Sequence, residues 1–433
     1  MEVDDWVEVV KRYHYVVFIF FNVMQTKSIL MALSAMALVT ACTNDETIEM
    51  NRGEGISLSA VAGKATRAGS EATTTNSIDN FHVYAFTQGL EYMNHDVTRI
   101  DDNTWTYGDT KFWPESTVDF YSYSPMDMRR GTVNITAEGE KKIEKYLVAG
   151  DEDFLYALNL GEKKADHEAR KPVNINFRHA LSQIVFKIKN TNPNLTVFVD
   201  GIRVEGVENT GDFTWPTKGT AEYWDGSEAD TETDDSWGTW YIEYNPKEAE
   251  GISYNADITP IMGEGLVGSK EAPVQDLTVK TDKGYKGLLL LPQVLNPWIT
   301  NTGDVDADGD PIYKITGTAR VLVKCRLVDT KTSVQLWPKP EEGAVTKFVG
   351  VSLVGETVAE DDHLATQVWK QGKRYVYTLI FGEGGGFDPE NPDPENPDPE
   401  PVLVPITFDV TVDNFVEYPQ DLDASVPDSK PGK

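Results

Sequence analysis

The chain has 433 residues, with 39 lysines and arginines against 70 aspartates and glutamates, and a formal net charge of −31. That length holds two or three domains of ordinary size. The charge excludes a nucleic-acid-binding surface, which needs Lys and Arg stripes to meet phosphates, and fits an acidic secreted surface that stays soluble by repelling its neighbours.

Residues 1–23 carry acidic charges and then Val16-Val17-Phe18-Ile19-Phe20-Phe21, an awkward extension in front of a secretory signal; Met24 is the better start and 1–23 reads as a start-site overhang. From Lys27 a short apolar run leads through Leu38-Val39-Thr40-Ala41 to Cys42. A positive charge, an apolar core and a small residue before a cysteine describe a secretory signal that ends in a lipobox. Residues 24–41 are therefore expected to be a lipoprotein signal peptide, with Cys42 the lipidated residue. The alternative, a spanning helix, needs ~20 mostly apolar residues, and Thr40 with Thr43-Asn44-Asp45-Glu46 cuts this run short. Asn44-Asp45-Glu46 also resembles the acidic signal that sends some lipoproteins to the outer cell surface.

Strands follow one another from there. Phe81-His82-Val83-Tyr84-Ala85-Phe86, Val118-Asp119-Phe120-Tyr121-Ser122-Tyr123, Ile184-Val185-Phe186-Lys187-Ile188-Lys189 and Tyr375-Val376-Tyr377-Thr378-Leu379-Ile380-Phe381 are rich in aromatic and β-branched residues. Gly, Asn, Asp and Pro punctuate them at short intervals, as an all-β sandwich requires. The one segment with a helical look is 136–146, long enough for one or two turns. Asn190-Thr191-Asn192-Pro193-Asn194 reads as a junction between an N-terminal sandwich, 54–190, and a C-terminal one, 195–382. The acidic, Gly-, Ser- and Thr-rich stretch 225–235 reads as a mobile loop. Cys325 lies in Val321-Leu322-Val323-Lys324-Cys325-Arg326-Leu327 on the face of the valines, the pattern of a buried strand thiol.

The glycines of 382–386 open a spacer, 383–401, built on Asp388-Pro389-Glu390-Asn391-Pro392 and its repeats. Prolines and repelling carboxylates stiffen it, and at ~3.1 Å per residue its 14 proline-rich residues could span about 40 Å. It would deliver the strand 402–418, in which Val402, Val404, Ile406, Phe408, Val410 and Val412 point one way and Leu403, Pro405, Thr407, Asp409, Thr411 and Asp413 the other. Two destinations fit this pattern: a sheet elsewhere, completed by strand addition, or the strand's own domain, whose edge it would cover.

Signals for chemistry are sparse. The chain has no Gly-x-Ser-x-Gly, His-Glu-x-x-His or Gly-x-x-x-x-Gly-Lys motif, so neither an enzyme nor a cofactor is expected. Asp304, Asp306 and Asp308 imitate the start of a calcium loop, but Ile315 stands where a bidentate glutamate is needed; an acidic hairpin loop is the better reading, and no metal is expected. Trp237, Trp240 and Tyr241, with Trp215 and Trp224, gather around the acidic stretch. They offer a possible glycan-binding platform, although most aromatics of a sandwich fill its core.

Several segments together resemble the fimbrillins, surface lipoproteins of Bacteroidales that assemble type V pili. They are the lipobox at Cys42, the strand 81–86, Phe112-Trp113-Pro114 leading to 118–125, Phe177-Arg178-His179-Ala180-Leu181-Ser182-Gln183-Ile184-Val185-Phe186, Leu288-Leu289-Leu290-Leu291-Pro292-Gln293 and Gly372-Lys373-Arg374-Tyr375-Val376-Tyr377-Thr378-Leu379. The resemblance implies two transthyretin-like Greek-key β-sandwich domains in tandem and a structural subunit or tip adhesin of a pilus on the outer membrane. Other pilin subunits would be its partners, by strand addition, with a host or bacterial receptor beyond them. It implies further that an N-terminal strand, here Ile56-Ser57-Leu58-Ser59-Ala60-Val61, leaves its groove after a protease cuts at Arg67. A neighbour's C-terminal strand, here 402–412, would then fill it. The repeated Asp-Pro-Glu-Asn-Pro spacer departs from the fimbrillin pattern. The rival from another class is a monomeric surface lipoprotein that binds glycans.

Overall fold

The computed structural model describes residues 50–62, 78–101, 104–220, 237–281, 284–305, 311–340, 343, 345–353, 367–382, 386–387, 389, 401–402 and 406–414. Cys42, Arg67, Val404, Asp306 and Asp308 lie outside them. Almost all regular structure within them is β, as the β-branched and aromatic content demands.

The first part of the chain forms β1 (Met50–Gly55), β2 (Leu58–Ala62), β3 (Asn80–Thr87), β4 (Leu90–Asp101), β5 (Thr104–Tyr107), β6 (Phe112–Pro114) and β7 (Val118–Ser124). These are followed by β8 (Thr132–Ile135), β9 (Lys141–Leu147), β10 (Leu155–Glu162) and β11 (Val173–His179). Seven of them make one sheet in the order β2-β11-β10-β7-β3-β4-β5, while β1 pairs with β6. In β3 Phe81, Val83 and Ala85 are fully buried and the residues between them are half-buried, the period-two signature of a sheet with one wetter face. The interior strand β10 is buried on both faces from Leu155 to Asn159.

The second part forms β12 (Ser182–Asn190), β13 (Leu195–Glu205), β14 (Thr210–Thr214), β15 (Thr239–Tyr241), a one-turn helix α1 (Pro246–Ala249), β16 (Ser253–Asn255) and β17 (Ile261–Val267). Short strands β18 (Gln275–Asp276), β19 (Lys280–Thr281), β20 (Gly284–Tyr285) and β21 (Leu288–Leu290) precede the hairpin of β22 (Ile299–Val305) and β23 (Pro311–Ile315). The chain then makes β24 (Arg320–Asp329), β25 (Gln335–Trp337), β26 (Lys347–Ser352) and β27 (Lys373–Phe381). It closes with β28 (Gly386–Phe387), β29 (Pro401–Val402) and β30 (Ile406–Asn414). Two principal sheets result, β18-β12-β27-β30 and β16-β13-β24-β26-β28-β29; a third, β15-β14-β9-β8, joins strands from both parts of the chain.

This topology bears on three expectations. The segment 136–146 is no helix: it ends in strand β9. Its apolar residues Ile143 and Tyr146 are both buried at a spacing of three, which imitates a helical face. They share a side because Lys145 takes a positive φ of 53° and shifts the alternation, as a β-bulge does; its amide donates to Asp212 Oδ1. The junction 190–194 does link β12 to β13, with the Asn190 amide donating to the carbonyls of Leu195 and Leu266. Strands β12 and β13 on its two sides belong to different sheets. Strand β12 pairs in parallel with β27, from Gln183 beside Arg374 to Asn190 beside Phe381, and β14 pairs with β9. One buried apolar cluster runs across that junction, from Phe86 to Phe381, within the single compact unit Met50–Lys433. Another change of sheet comes earlier, between β11 and β12.

The third concerns the spacer. Phe387 pairs with Pro401 and Gly386 with Val402, so the two ends of the proline-rich segment are hydrogen-bonded neighbours. Residues 390–400, between those ends, lie outside the described residues.

Cys325 is fully buried and free, and burial pushes its thiol up to about 12. An ordinary cysteine titrates near 8.5, so at pH 8 Cys325 holds on the order of a thousandfold less of the reactive thiolate. Iodoacetamide labelling read at Cys325 by peptide mass spectrometry is expected to be undetectable in the native protein and complete in denaturant.

Candidate functional site: two exchangeable edge strands

Strand β2 is the outermost strand of the N-terminal sheet and runs parallel to β11, with Leu58 beside Val173 and Ala60 beside Ile175. Ile56, Leu58 and Ala60 are 3–5% exposed; Ser57 faces outward and Ser59 is half-buried. The segment is clasped from both sides. The Ile56 amide donates to the Lys111 carbonyl at 2.8 Å and the Val173 amide to the Ser57 carbonyl at 2.8 Å. The Tyr107 hydroxyl donates to the Ile56 carbonyl at 2.6 Å, and Ser59 Oγ to Asn174 Oδ1 at 2.7 Å. Beneath it Val173, Ile175 and Phe177 are fully buried, and Phe177 meets Phe81 edge-on with ring centroids 5.3 Å apart. Burial of Ile56 and Leu58 is worth about 3–6 kcal/mol together. That is enough to hold a five-residue edge strand and little enough for a comparable strand to replace it.

At the other end of the chain β30 lies antiparallel on β27, with Ile406 across from Phe381, Phe408 from Leu379, Val410 from Tyr377 and Val412 from Tyr375. Directly opposed residues share a face of the sheet, and those four β27 residues are at most 2% exposed. Val410 is half-buried against the core and Thr411 is exposed, which is the alternation read from the sequence. Of the two destinations considered for this strand, the structure shows the return to its own chain.

The other candidate residues are dispersed. Trp237 is 4% exposed, with the Arg178 guanidinium 4.6 Å from its ring centroid. Trp240 Nε1 donates to the Ala180 carbonyl at 2.7 Å, and its ring packs on Tyr146 and Phe213. These two indoles fill space between strands; Tyr241, 69% exposed, faces outward, and Trp224 lies outside the described residues. Asp304 is exposed at the end of β22, and Ile315 ends β23, so the acidic stretch between them joins two strands rather than two helices. Among the described residues no cluster of His, Cys, Asp or Glu is arranged to hold a metal. His82 and His179 hydrogen-bond Asp96 and Asp153 at 2.7 and 2.8 Å, and His179 is buried.

Sequence reasoning missed the partnership between two of its own motifs. The segments 177–186 and 372–379 are adjacent, because β12 and β27 pair along their length. Buried Gln183 accepts from Arg374 Nε at 2.7 Å. A polar residue second in each of two apolar strands was the available signal: buried polar groups need partners.

The fimbrillin-like family matches residues 66–395, most of the chain. This protein belongs to the fimbrillin-like family. Among solved structures it is similar to the fimbrilin FimA of Porphyromonas gingivalis W83, at 11% identity, covering 86% of this chain and 100% of that one, with a TM-score of 0.39. It is similar also to the tip fimbrial protein Mfa3 of Porphyromonas gingivalis, at 10% identity, 77% and 93% coverage and a TM-score of 0.28. A candidate cell adhesion protein of Bacteroides ovatus aligns at 14% identity over 85% and 100%, with a TM-score of 0.40. No curated protein sequence matches.

Proposed function

We propose that this fimbrillin-like chain is a structural subunit or tip adhesin of a cell-surface pilus, assembled with other pilin subunits by proteolysis-gated strand exchange. Cys42 anchors the subunit to the outer membrane through its lipid, after removal of 24–41. Cleavage at Arg67 frees the strand that carries Ile56, Leu58 and Ala60. The strand 402–412 of another subunit then enters the vacated place beside β11. Two tandem transthyretin-like domains carry the two edges, the first centred on the sheet of β2 to β11 and the second on the sheets of β12, β13, β24 and β27. The fimbrillin-like family is one of structural and adhesion proteins, and this reading calls for no catalytic residue or cofactor.

The observation that carries the proposal is the placement of β2. It is short, lies at a sheet edge, and is followed in the chain by the small, polar segment Gly63-Lys64-Ala65-Thr66-Arg67-Ala68-Gly69-Ser70, of the composition proteases prefer. Energetics agree with an exchange. The anchors of 402–412 that would leave β27 are regained in a groove lined by Val173, Ile175 and Phe177. The irreversible loss of a cleaved strand then sets the direction.

Residues 43–433 treated with an arginine-specific protease and run unheated on a denaturing gel are expected to give a ladder of detergent-resistant polymers. The Arg67→Ala protein is expected to stay monomeric. A clean cut after Arg67 with monomer alone would restrict the subunit to a cap or tip position. Resistance of the chain to any cut near Arg67 would sink the gating step and favour a monomeric surface lipoprotein.

A further inference from the structure

A polar cleft of about 530 Å³ has none of β2, β11, β27 or β30 in its lining. Small ligands bind in clefts of about 300–1,000 Å³. One wall is Ala149-Gly150-Asp151, in the link from β9 to β10, and the other is β16 with Asp257. Gln183 of β12 and the segment from Tyr285 to Leu289 complete the lining. The first wall is tied to that segment, because the Leu289 amide donates to the Gly150 carbonyl at 2.8 Å. Two glycines allow the close approach. A Cβ on Gly150, at φ 92°, would stand 2.9 Å from Tyr254 Cδ1, and one on Gly287 would stand 2.7 Å from Gln183 Cγ.

The lining holds hydrogen-bonding capacity that the fold does not use. Gln183 is 1% exposed; its Oε1 accepts from Arg374 Nε at 2.7 Å and its Nε2 donates to the Tyr285 carbonyl at 3.3 Å. The second hydrogen on Nε2 meets no acceptor among the described residues, and buried donors call for one. Asn255 Oδ1 accepts from Arg203 Nε at 3.3 Å, which leaves the Asn255 amide nitrogen to donate elsewhere. The Ser253 hydroxyl and the Asp151 carboxylate make no hydrogen bond among the described residues. Lys286 Nζ is 3.7 Å from Asp257 Oδ2, too far for a direct hydrogen bond. These five residues of the rim are all exposed.

The mixture of groups selects a class of ligand. Two carboxylates, on a chain of net charge −31, repel an anion. Lys286 offsets one of them, and no carboxylate cluster among the described residues is arranged to hold a metal. An apolar ligand would strip water from charged groups and return no hydrogen bond. A neutral polyhydroxylated ligand answers every group, since each hydroxyl can donate to a carboxylate and accept from an amide or an ammonium. Its carbon face meets Leu288, which also lines the cleft.

We propose that this cleft binds a short neutral oligosaccharide, with Gln183, Asp151, Asn255 and Lys286 as its hydrogen-bonding groups. The site is distinct from the tryptophan cluster singled out by the sequence. It goes beyond the function proposed above and does not rest on strand exchange.

Saturation-transfer difference NMR on residues 43–433 tests it with maltotriose, cellotriose, mannotriose and N-acetyllactosamine as neutral probes. 3′-Sialyllactose serves as the anionic probe and glucosamine trimer as the cationic one. At least one neutral sugar is expected to show transfer, with a Kd raised about tenfold or more in Asn255→Ala/Lys286→Ala, the loss of roughly one good hydrogen bond. Ser253→Trp, which fills the cleft from an exposed position, abolishes binding, and Tyr241→Ala, outside the cleft, keeps it. If Ser253→Trp unfolds the protein, Asp151→Ala decides, with binding weakened at unchanged Tm. Absence of transfer to all four neutral sugars overturns the proposal, as does binding indifferent to the cleft substitutions. Tighter binding of sialyllactose or of glucosamine trimer overturns it too. The Ser253→Trp protein is expected to form the same protease-induced ladder as the unaltered chain, so failure of the cleft and failure of strand exchange are told apart.

Discussion

A chain ending at Glu400 is expected to fold with clearly lower stability, losing a few kcal/mol and about 10 °C in Tm. The truncation removes β30 and leaves nine residues of β27, Lys373–Phe381, without their outer hydrogen-bonding partner. Burying four apolar side chains of a strand such as this is worth at most roughly 6–12 kcal/mol gross, and the ordering entropy released by nine residues is of similar size. The balance is decided by what stays behind. Tyr375, Tyr377, Leu379 and Phe381, now at most 2% exposed, lose cover on their open side, and a bare apolar edge invites aggregation. At about 2–4 °C per kcal/mol for a domain of this size, a thermal melt of the truncated chain beside the intact one checks the expected loss. An unchanged melt would mean that β30 does not rest on β27 in the monomer.

Leu58→Asp is expected to release β2 without proteolysis. The substitution removes about 1.5–3 kcal/mol of burial and sets a carboxylate against the fully buried Val173, where desolvation costs several kcal/mol more. The sum exceeds the roughly 3–6 kcal/mol that Ile56 and Leu58 contribute together. Hydrogen exchange should then show the Val173 amide, which donates to the Ser57 carbonyl in the closed strand, losing protection while β12 and β27 keep theirs. Under the exchange reading the same protein forms a ladder with no protease added. Ser57→Asp, at an outward-facing position, is expected to do neither. Global loss of protection in Leu58→Asp would instead make β2 an integral part of the fold and count against its removal during assembly.

These two strands show how far the sequence carried. The anchors of 402–412 were legible because burial on one face of a strand imposes a period of two, and Val410 and Thr411 keep that alternation. Their destination was not legible: the period says which side faces a core and is silent about whose core it is. The spacer shows the same limit, since its composition speaks for stiffness, while the pairing of Phe387 with Pro401 sets its two ends side by side. The misreading of 136–146 had a local cause. Lys145, at φ 53°, puts Ile143 and Tyr146 on one side of a strand at a spacing that a helix would also produce. For Trp237 and Trp240, composition could not separate an exposed sugar platform from core filling; Arg178 and the Ala180 carbonyl, which hold them inside, are brought there by the fold.

Local pattern in the chain was enough to establish an all-β protein, the identity of most core strands, a buried thiol at Cys325 and a family likeness carried by short motifs in order. Each of these is written in the alternation of neighbouring residues or in a contiguous motif. Long-range packing was needed to show that β12 pairs with β27, that β2 runs parallel to β11 and that β30 returns to its own chain. Those outcomes depend on pairings between residues as much as 191 apart, as between Gln183 and Arg374. Such pairings are selected by the fit of whole surfaces, and a strand's own sequence carries little of that information.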